Sequence, residues 1–421
     1  MEKFEGRKNL EGKPTPELSN CLKYRHLKLK ESFGKITPEE FDQLLELEFQ
    51  KHLKENPPIG KRFSPEEELT RVRGLQGRER KEVLEIFKKN LTTQRKAWAL
   101  CRVLIEKSIE FNPDVSKEKL MEIVYKFRAF YGFPENQIKI AEELIDKYYE
   151  SRQRALMLRK QYPDDYDLVK ELTGMSLDRN TSKIKVSVGP MMIIIEADRI
   201  TTGKLYEKSE NPKFGFKYSG FATESGGENS AYYVVINMDR QIRALSRDFR
   251  GKATKKHEYQ HIKNKLFEEI FEKQEPLPLL SISYIEEKDP EVKKIILKSF
   301  FKEHRRRALQ RVKDEILARL SSTSLNELQK QLEELFFKQD GGPYDFLAYL
   351  RDWEMFKNDP IYQEIAQKML VEGYKKIIEK AVGSFRKLIT EGKYSTQFAI
   401  ALLADKPLIE WPKAVERLLK E

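Results

Sequence analysis

Cysteine and histidine are scarce in this sequence. Among 421 residues there are only two cysteines and five histidines. Cys21 and Cys101 are too few to build a framework of disulfide bonds, which excludes the small disulfide-stapled scaffolds. Cys101 stands in an apolar stretch, residues 98–104, where we expect a buried core thiol.

Long apolar runs are also absent. Residues 191–195 are continuously apolar, but a helix that crosses a membrane needs about eighteen or more such residues. Residues 1–7 lack the hydrophobic segment of a secretory signal. The sequence therefore predicts a protein with no membrane partner, and we expect it in the cytoplasm.

Charge of one sign is in modest excess. Lysine and arginine together number 79 against 68 aspartates and glutamates, a formal net charge of +11. With 35% charged and 39% hydrophobic residues, the composition is typical of a soluble, helix-rich protein. Positive charge can attract nucleic acid or an acidic partner, but no nucleic-acid-binding motif accompanies it here. We interpret the excess as a solvated surface, with nucleic-acid binding as the less favoured alternative.

The N-terminal part of the sequence predicts helices. Residues 1–35 are polar and have no clear period, so we expect a loose arm. Thr37 and Pro38, followed by acidic residues, then mark the start of a helix. Apolar residues recur at helical spacing beyond this point, with breaks where proline and glycine cluster. These features predict a helical domain over residues 36–175.

The pattern changes near residue 183. Residues 185–195, 213–221 and 231–237 are rich in β-branched and aromatic residues, and together they predict a small sheet of three to five strands. Helical spacing returns after the sheet. We predict an α+β fold that is predominantly helical: an N-terminal helical region, a small mixed sheet with a following helix in residues 183–320, and a C-terminal helical region in residues 321–421.

One short motif carries chemistry. His257, Glu258 and His261 form an H-E-x-x-H pattern inside a predicted helix, residues 252–273. Residues four apart lie on one face of a helix, so both imidazoles can reach one metal ion. Glu258 lies one residue further round and can take a proton from a water held beside that ion. This combination is typical of catalytic zinc, and we expect one Zn²⁺ per chain.

A strand at residues 232–237, a connection and then an H-E-x-x-H helix together resemble the zincin metallopeptidases. The resemblance covers residues 183–320. The residues that follow His261 do not fit the metzincin pattern, so the gluzincin-like branch, which takes a glutamate from a later helix as third ligand, is the more similar one. The resemblance implies zinc, a peptide or protein substrate, Glu258 as general base, and an edge strand, residues 232–237, that holds the substrate extended.

The third ligand is predicted to be Glu315. It lies on the flank of the apolar stripe of a helix that starts near residue 290, where a carboxylate is costly unless it is paired or bound to metal. Its local Glu-x-x-Ala form is also similar to the third-ligand segment of gluzincins. We expect Asp314 to point to the opposite, solvated side. His304, on the same helix, is the alternative ligand. If no metal binds, we expect Glu315 to be exposed and to form an ion pair with a neighbouring arginine.

These observations lead to two classes of function. The first is a zinc-dependent metallopeptidase that hydrolyses peptide bonds with a metal-activated water and Glu258 as base. The alternative is a non-catalytic basic helical protein that binds nucleic acid or a protein partner, in which the motif is incidental or structural. A metal hydrolase with a non-peptide substrate is a third hypothesis, because the same groups serve many bonds.

Overall fold

The computed structural model describes residues 16–32, 34–59, 65–209, 220–225, 231–238, 247–271, 288–322, 359–366 and 373–420. Within these ranges 76% of the residues are helical, and four strands form one small mixed sheet. The predicted class, α+β and predominantly helical, is confirmed.

The chain divides into two compact units, one comprising Met1–Leu104 and Glu122–Glu135, the other Ile105–Met121 and Asn136–Glu421. The domain boundaries inferred from sequence, at residues 35, 175, 183 and 320, stay predictions. No helix in the described ranges is both long and apolar enough to cross a membrane.

The first unit is built from helices. In chain order they are α1 (Pro16–Ser32), α2 (Pro38–Glu55), α3 (Pro65–Gly74), α4 (Gly77–Phe111) and α5 (Lys117–Tyr131). The last residues of α4 and the first residues of α5 belong to the second unit. Thr37 and Glu40 form a reciprocal capping box at the start of α2, which confirms the start signal in the sequence.

Helix α1 corrects one expectation. The sequence predicts a loose arm over residues 1–35, but Pro16–Ser32 is helical, while residues 1–15 lie outside the described part. Leu27 of α1 is buried, and Lys28 Nζ lies 2.5 Å from Glu48 Oε1 of α2. Packing against α2 therefore stabilises a helix whose own apolar period is too weak to indicate it.

A buried histidine lies among aromatic rings in this unit. The rings of His52 and Tyr131 meet edge to face with centroids 5.5 Å apart, and Phe49 meets Phe127 in the same manner at 4.9 Å. Asn56 Nδ2 lies 3.4 Å from His52 Nδ1. Burial lowers the pKa of His52 to about 4, so this ring is neutral near pH 7.

The second unit contains the sheet. Its strands are β1 (Ile184–Val188), β2 (Ile193–Ala197), β3 (Gly220–Glu224) and β4 (Tyr232–Asn237), and the helices around them are α6 (Glu135–Gln161), α7 (Asp165–Thr173) and α8 (Arg199–Ser209). Strands near three of the predicted stretches are confirmed, although residues 213–219 lie outside the described part. The short helix α7 lies within residues 36–175, which the sequence predicts to be helical, whereas α8 is not indicated by the sequence. Asp164 caps α7, where it accepts hydrogen bonds from the backbone N–H groups of Tyr166 and Asp167.

The order of the strands is β1-β2-β4-β3. β1 pairs antiparallel with β2, β2 pairs parallel with β4, and β4 pairs antiparallel with β3. Tyr232–Asn237 is therefore an inner strand with a neighbour on each side, and the expectation that it is a substrate-binding edge strand is wrong. All six of its residues are buried, which is typical of a strand covered on both faces.

Two long helices complete the part of the second unit that concerns the motif. α9 (Arg247–Phe271) carries it, close to the predicted range of residues 252–273, and α10 (Pro290–Ser322) begins where the sequence predicts. α9 packs against β3, β4 and α10. The opposite face of the sheet contributes Ile193, Ile195 and Val235 to a core shared with α6, α7 and α8.

Ion pairs fix α9 in place. Lys263 is buried, and its Nζ lies 2.8 Å from Glu110 Oε1 and 3.4 Å from Glu106 Oε2 on the last turns of α4. Lys255 pairs with Glu196 of β2 at 2.7 Å. Burial lowers the pKa of Lys263, but the two glutamates more than offset this and raise it above 10.5. The motif helix is thus held by charged contacts on both the helical and the sheet side.

The C-terminal region is helical where it is described. Its elements are α11 (Pro360–Ala366), α12 (Gly373–Thr390), α13 (Thr396–Leu403), a 3₁₀ turn (Leu408–Glu410) and α14 (Trp411–Lys420). α11 and α13 pack against α10. The buried Lys313 of α10 donates a hydrogen bond to the carbonyl of Ala404, 3.0 Å away. The predicted break at residues 341–343 lies outside the described ranges.

Candidate metal centre

The two histidines of the motif lie on one face of α9. Their Nε2 atoms are 3.2 Å apart, and the rings meet edge to face with centroids separated by 4.7 Å. This is the placement expected of residues four apart on a helix. The apolar residues Ile262, Leu266 and Phe267 are buried on other sides of the helix. Both ring nitrogens therefore point toward one region, between α9 and α10.

Glu315 of α10 reaches the same region. Its Oε1 lies 3.8 Å from Nε2 of His257, and its Oε2 lies 3.3 Å from Nε2 of His261. One ligand atom from each of the three side chains can be chosen so that all lie within 4.8 Å of one another. Ligand atoms about 2.0–2.2 Å from a tetrahedral zinc ion lie roughly 3.3–3.6 Å apart. The observed separations are close to these values, so the residues fit such an ion.

The carboxylate of Glu315 is buried in a positive environment. Its exposure is 2%, and Arg319 Nε lies 2.5 Å from Oε1. Burial alone would raise the pKa of Glu315. His261, His257 and Arg319 lower it by more than burial raises it, so the pKa lies well below 4.5. Oε2 lies 3.3 Å from Nε2 of His261, yet it makes no hydrogen bond to any described residue. A buried acceptor directed at two imidazoles is an arrangement that a metal ion would satisfy.

Asp314 corrects another expectation. The sequence predicts that it points away from the site, but its Oδ2 lies 2.6 Å from Nδ1 of His261. The adjacent residues Asp314 and Glu315 therefore contact opposite nitrogens of one ring. This is possible because α10 passes across the histidine face of α9, so that neighbouring positions on α10 flank His261 from two sides. A carboxylate on the outer nitrogen of a metal-binding histidine is the commonest support such a ligand receives.

His257 has a different support. The backbone of Ala318, one turn beyond Asp314 on α10, acts on its ring and raises its pKa. Burial lowers the pKa of His257 to about 4, with Glu315 acting in the opposite direction. For His261, burial also lowers the pKa, but Asp314 and Glu315 more than offset it and hold the pKa well above 6.5. His261 thus has a side-chain partner, Asp314, on the nitrogen away from the three-residue cluster.

Glu258 lies beside this cluster, with an exposure of 5%. Burial raises its pKa to about 8, and the nearest charges that act on it are those of His261 and Glu315. Its pKa is therefore close to neutrality, where a group can both accept and release a proton. Lys265 is seven positions after Glu258 and therefore lies on the same side of α9. Its Nζ pairs with Glu224 of β3 at 2.5 Å.

Two polar residues at the site have no counterpart in the sequence reasoning. Gln260 and Asn264 are both buried, and Gln260 Nε2 donates to Asn264 Oδ1 at 2.7 Å. Asn264 Nδ2 donates in turn to Asp314 Oδ1 at 2.6 Å. The signal in the sequence is their spacing, since 260 and 264 lie one turn apart on the face of α9 that carries the histidines.

The side chain of His304, the alternative ligand, lies outside the described residues. Glu291 is exposed at the start of α10, where it pairs with Lys294 at 2.8 Å. Within the described ranges, His257, His261 and Glu315 are the one group of potential metal ligands found.

Comparison with protein-family models, curated proteins and solved structures gave no match to this chain. The likeness to zincins therefore rests on the motif and on the geometry of the residues around it, and it stays a hypothesis.

Proposed function

We propose that this protein is a zinc-dependent hydrolase that cleaves peptide bonds. One observation carries the proposal: Nε2 of His257, Nε2 of His261 and the carboxylate of Glu315 converge at 3.2–3.8 Å from one another, next to a buried Glu258. Three residues of one short motif and a fourth, 54 positions after His261, meet in one place. The donor set, two imidazoles and a carboxylate, is that of catalytic zinc sites.

The number of ligands supports catalysis over a structural role. Structural zinc sites use four protein ligands, whereas catalytic sites use three and leave a position for water or substrate. The described residues supply three. Asp314 does not act as a fourth, because its Oδ2 is directed to the outer nitrogen Nδ1 of His261.

The roles of the side chains follow from their positions. When bound, zinc supplies a water of lowered pKa and polarises a carbonyl group. Glu258 is placed to take a proton from water beside the cluster and to pass it to the leaving amine. Positive charge nearby favours the ionised form of Glu258, which its burial otherwise disfavours. Arg319 pairs with Oε1 of Glu315 and leaves Oε2 for the ion.

The strand that we propose for binding an extended substrate is β3, and not residues 232–237 as the sequence indicated. β3 stands at the end of the described sheet and is paired there with β4 alone. Glu224 of β3 contacts Lys265, on the side of α9 that carries Glu258. A peptide added along the outer edge of β3 would have its backbone held by strand addition, on a strand that packs against the motif helix.

Cleavage of unstructured peptides tests the proposal. Zinc-loaded protein is incubated with a mixed peptide library, and the products are read by mass spectrometry. We expect cleavage that stops when zinc is removed by a chelator and that falls at least about 100-fold in Glu258→Gln, which removes the base without removing a ligand. Glu269→Gln, the same change at a half-exposed position on α9, is the control and should keep full activity. A zinc-loaded protein that cleaves nothing would instead support the non-catalytic alternative.

A further inference from the structure

Three side chains, two on α9 and one on α10, form a row of hydrogen bonds that ends at the outer nitrogen of His261. Gln260 donates to Asn264 at 2.7 Å, Asn264 donates to Asp314 at 2.6 Å, and the other oxygen of Asp314 lies 2.6 Å from Nδ1 of His261. We call Gln260, Asn264 and Asp314 the polar triad. Gln260 and Asn264 are each only 4% exposed, so water cannot readily replace these contacts.

The hydrogen bonds of the polar triad have one direction. The amide oxygen of Asn264 receives the Gln260 N–H group, so its amide nitrogen faces Asp314 and donates to Oδ1. Asp314 is thereby left as an acceptor at Oδ2, and Nδ1 of His261 must supply the proton between them. When the ring gives up its second proton to bind a metal, the proton that remains is therefore the one on Nδ1, and the lone pair of Nε2 is left for an ion between His261, Glu315 and His257.

We propose that the polar triad positions His261 as a metal ligand by holding it in the Nδ1–H form, with Asp314 and Asn264 as its positioning residues. The inference rests on the proposed metal site and extends it to groups that do not touch the ion. On the ring of His257, by contrast, the groups of α10 that act are Glu315, Arg319 and the backbone of Ala318. The two histidines of one motif are therefore supported by different means.

A purely structural role for the same contacts predicts a different result. If the polar triad only ties α9 to α10, its loss lowers the stability of the protein but leaves the metal affinity of the folded molecule unchanged. If it sets the tautomer of His261, affinity falls even in a variant that stays folded. Supporting groups of this kind typically change metal affinity by about tenfold to a hundredfold.

The experiment measures zinc affinity by competition with a chromophoric chelator, in the full-length protein. Asp314→Asn should weaken zinc binding by about tenfold to a hundredfold, and Asn264→Ala by about tenfold, the lower end of that range. Glu224→Gln is the control: it removes one negative charge that contacts α9 through Lys265 but touches no member of the polar triad, and it should bind zinc as the wild type does. Circular dichroism shows whether each variant is folded. If Asp314→Asn does not fold, the zinc affinity of Asn264→Ala tests the role of the polar triad.

A second measurement reads the tautomer directly. In zinc-loaded protein labelled with ¹⁵N-histidine, the proton on Nδ1 of His261 should exchange slowly with water in the wild type and much faster in Asp314→Asn. Zinc affinity in both folded variants equal to that of the wild type would overturn the role of the polar triad and leave the metal site standing. A wild-type protein that binds no zinc would overturn both together.

Discussion

Nε2 of His261 lies 3.3 Å from Oε2 of Glu315, although 54 positions separate the two residues in the sequence. The contact joins α9 to α10 and brings an acidic oxygen with no hydrogen bond among the described residues to an imidazole nitrogen. Most buried polar atoms have a partner, and this exception within a cluster of potential ligands supports our proposal that an ion binds there. The proposed metal centre depends on this meeting of two helices.

The buried Lys263 should be important for stability. Its charge lies between Glu106 and Glu110, so Lys263→Met would leave two carboxylates without their shared cation. We expect the free energy of unfolding, measured by urea titration, to fall by about 3 kcal/mol. The control is Lys294→Met, which breaks the pair with the exposed Glu291 and should cost less than about 1 kcal/mol. Equal losses in the two variants would show that Lys263 is not held as described.

The first unit should lose stability in mild acid. The pKa of His52 is about 4 in the folded protein and about 6.5 in the unfolded chain, so the unfolded state binds more protons between these values. The contribution of His52 is complete above pH 6.5 and is lost as the pH falls toward 4. We expect about 1.4 kcal/mol per pH unit at most over that window, read from hydrogen exchange of the α2 amides after correction for intrinsic rates.

Substitution isolates this effect. His52→Gln should flatten the dependence on pH in that window because it removes the group that titrates. His26→Gln, at an exposed histidine of the same unit, should follow the wild-type curve. A wild-type slope that persists in His52→Gln would assign the acid sensitivity to other groups.

Gly189 should be required for the close approach between the β1–β2 turn and the motif helix. A methyl group there would lie 3.0 Å from Ile194 Cδ1 and 3.2 Å from the Tyr259 hydroxyl oxygen. Gly189→Ala should therefore lower the free energy of unfolding by about 1–2 kcal/mol. Gly383→Ala is the control, since no atom lies within 4 Å of its added carbon, and in the middle of α12 it should stabilise by about 0.5–1 kcal/mol.

The coupling to Tyr259 can be measured separately. Tyr259→Phe removes the hydroxyl oxygen that crowds the new methyl group, so the double variant should recover part of the loss caused by Gly189→Ala. Purely additive effects in thermal or urea unfolding would place the strain at Ile194 instead.

Local patterns in the sequence predicted much of the fold. The capping box at Thr37, the strand at residues 232–237 and the two helices of the site follow from spacing and cap chemistry, which act within a few residues. The helix α1 was missed because packing against α2, and not its own period, stabilises it. The inner position of β4 was also missed, since strand order depends on which distant segments pair.

The candidate site shows the same division. The motif and the flank position of Glu315 could be recognised from periodicity, and the described structure brings all three predicted ligands together. Asp314 was placed on the wrong side because a helical period gives directions around one axis and does not reveal how a second helix crosses it. That crossing also determines the contacts of Asn264, which no local pattern indicates.

Zinc content tests the central claim most directly. Protein prepared with zinc and dialysed extensively is analysed for metal per chain, in the wild type and in His257→Ala, His261→Ala, Glu315→Ala and Glu291→Ala. We expect about one zinc per chain in the wild type, far less in the first three variants, and the wild-type value in Glu291→Ala, which removes an exposed glutamate from the same helix as Glu315. A wild type without zinc, or equal zinc in all five proteins, would contradict the account.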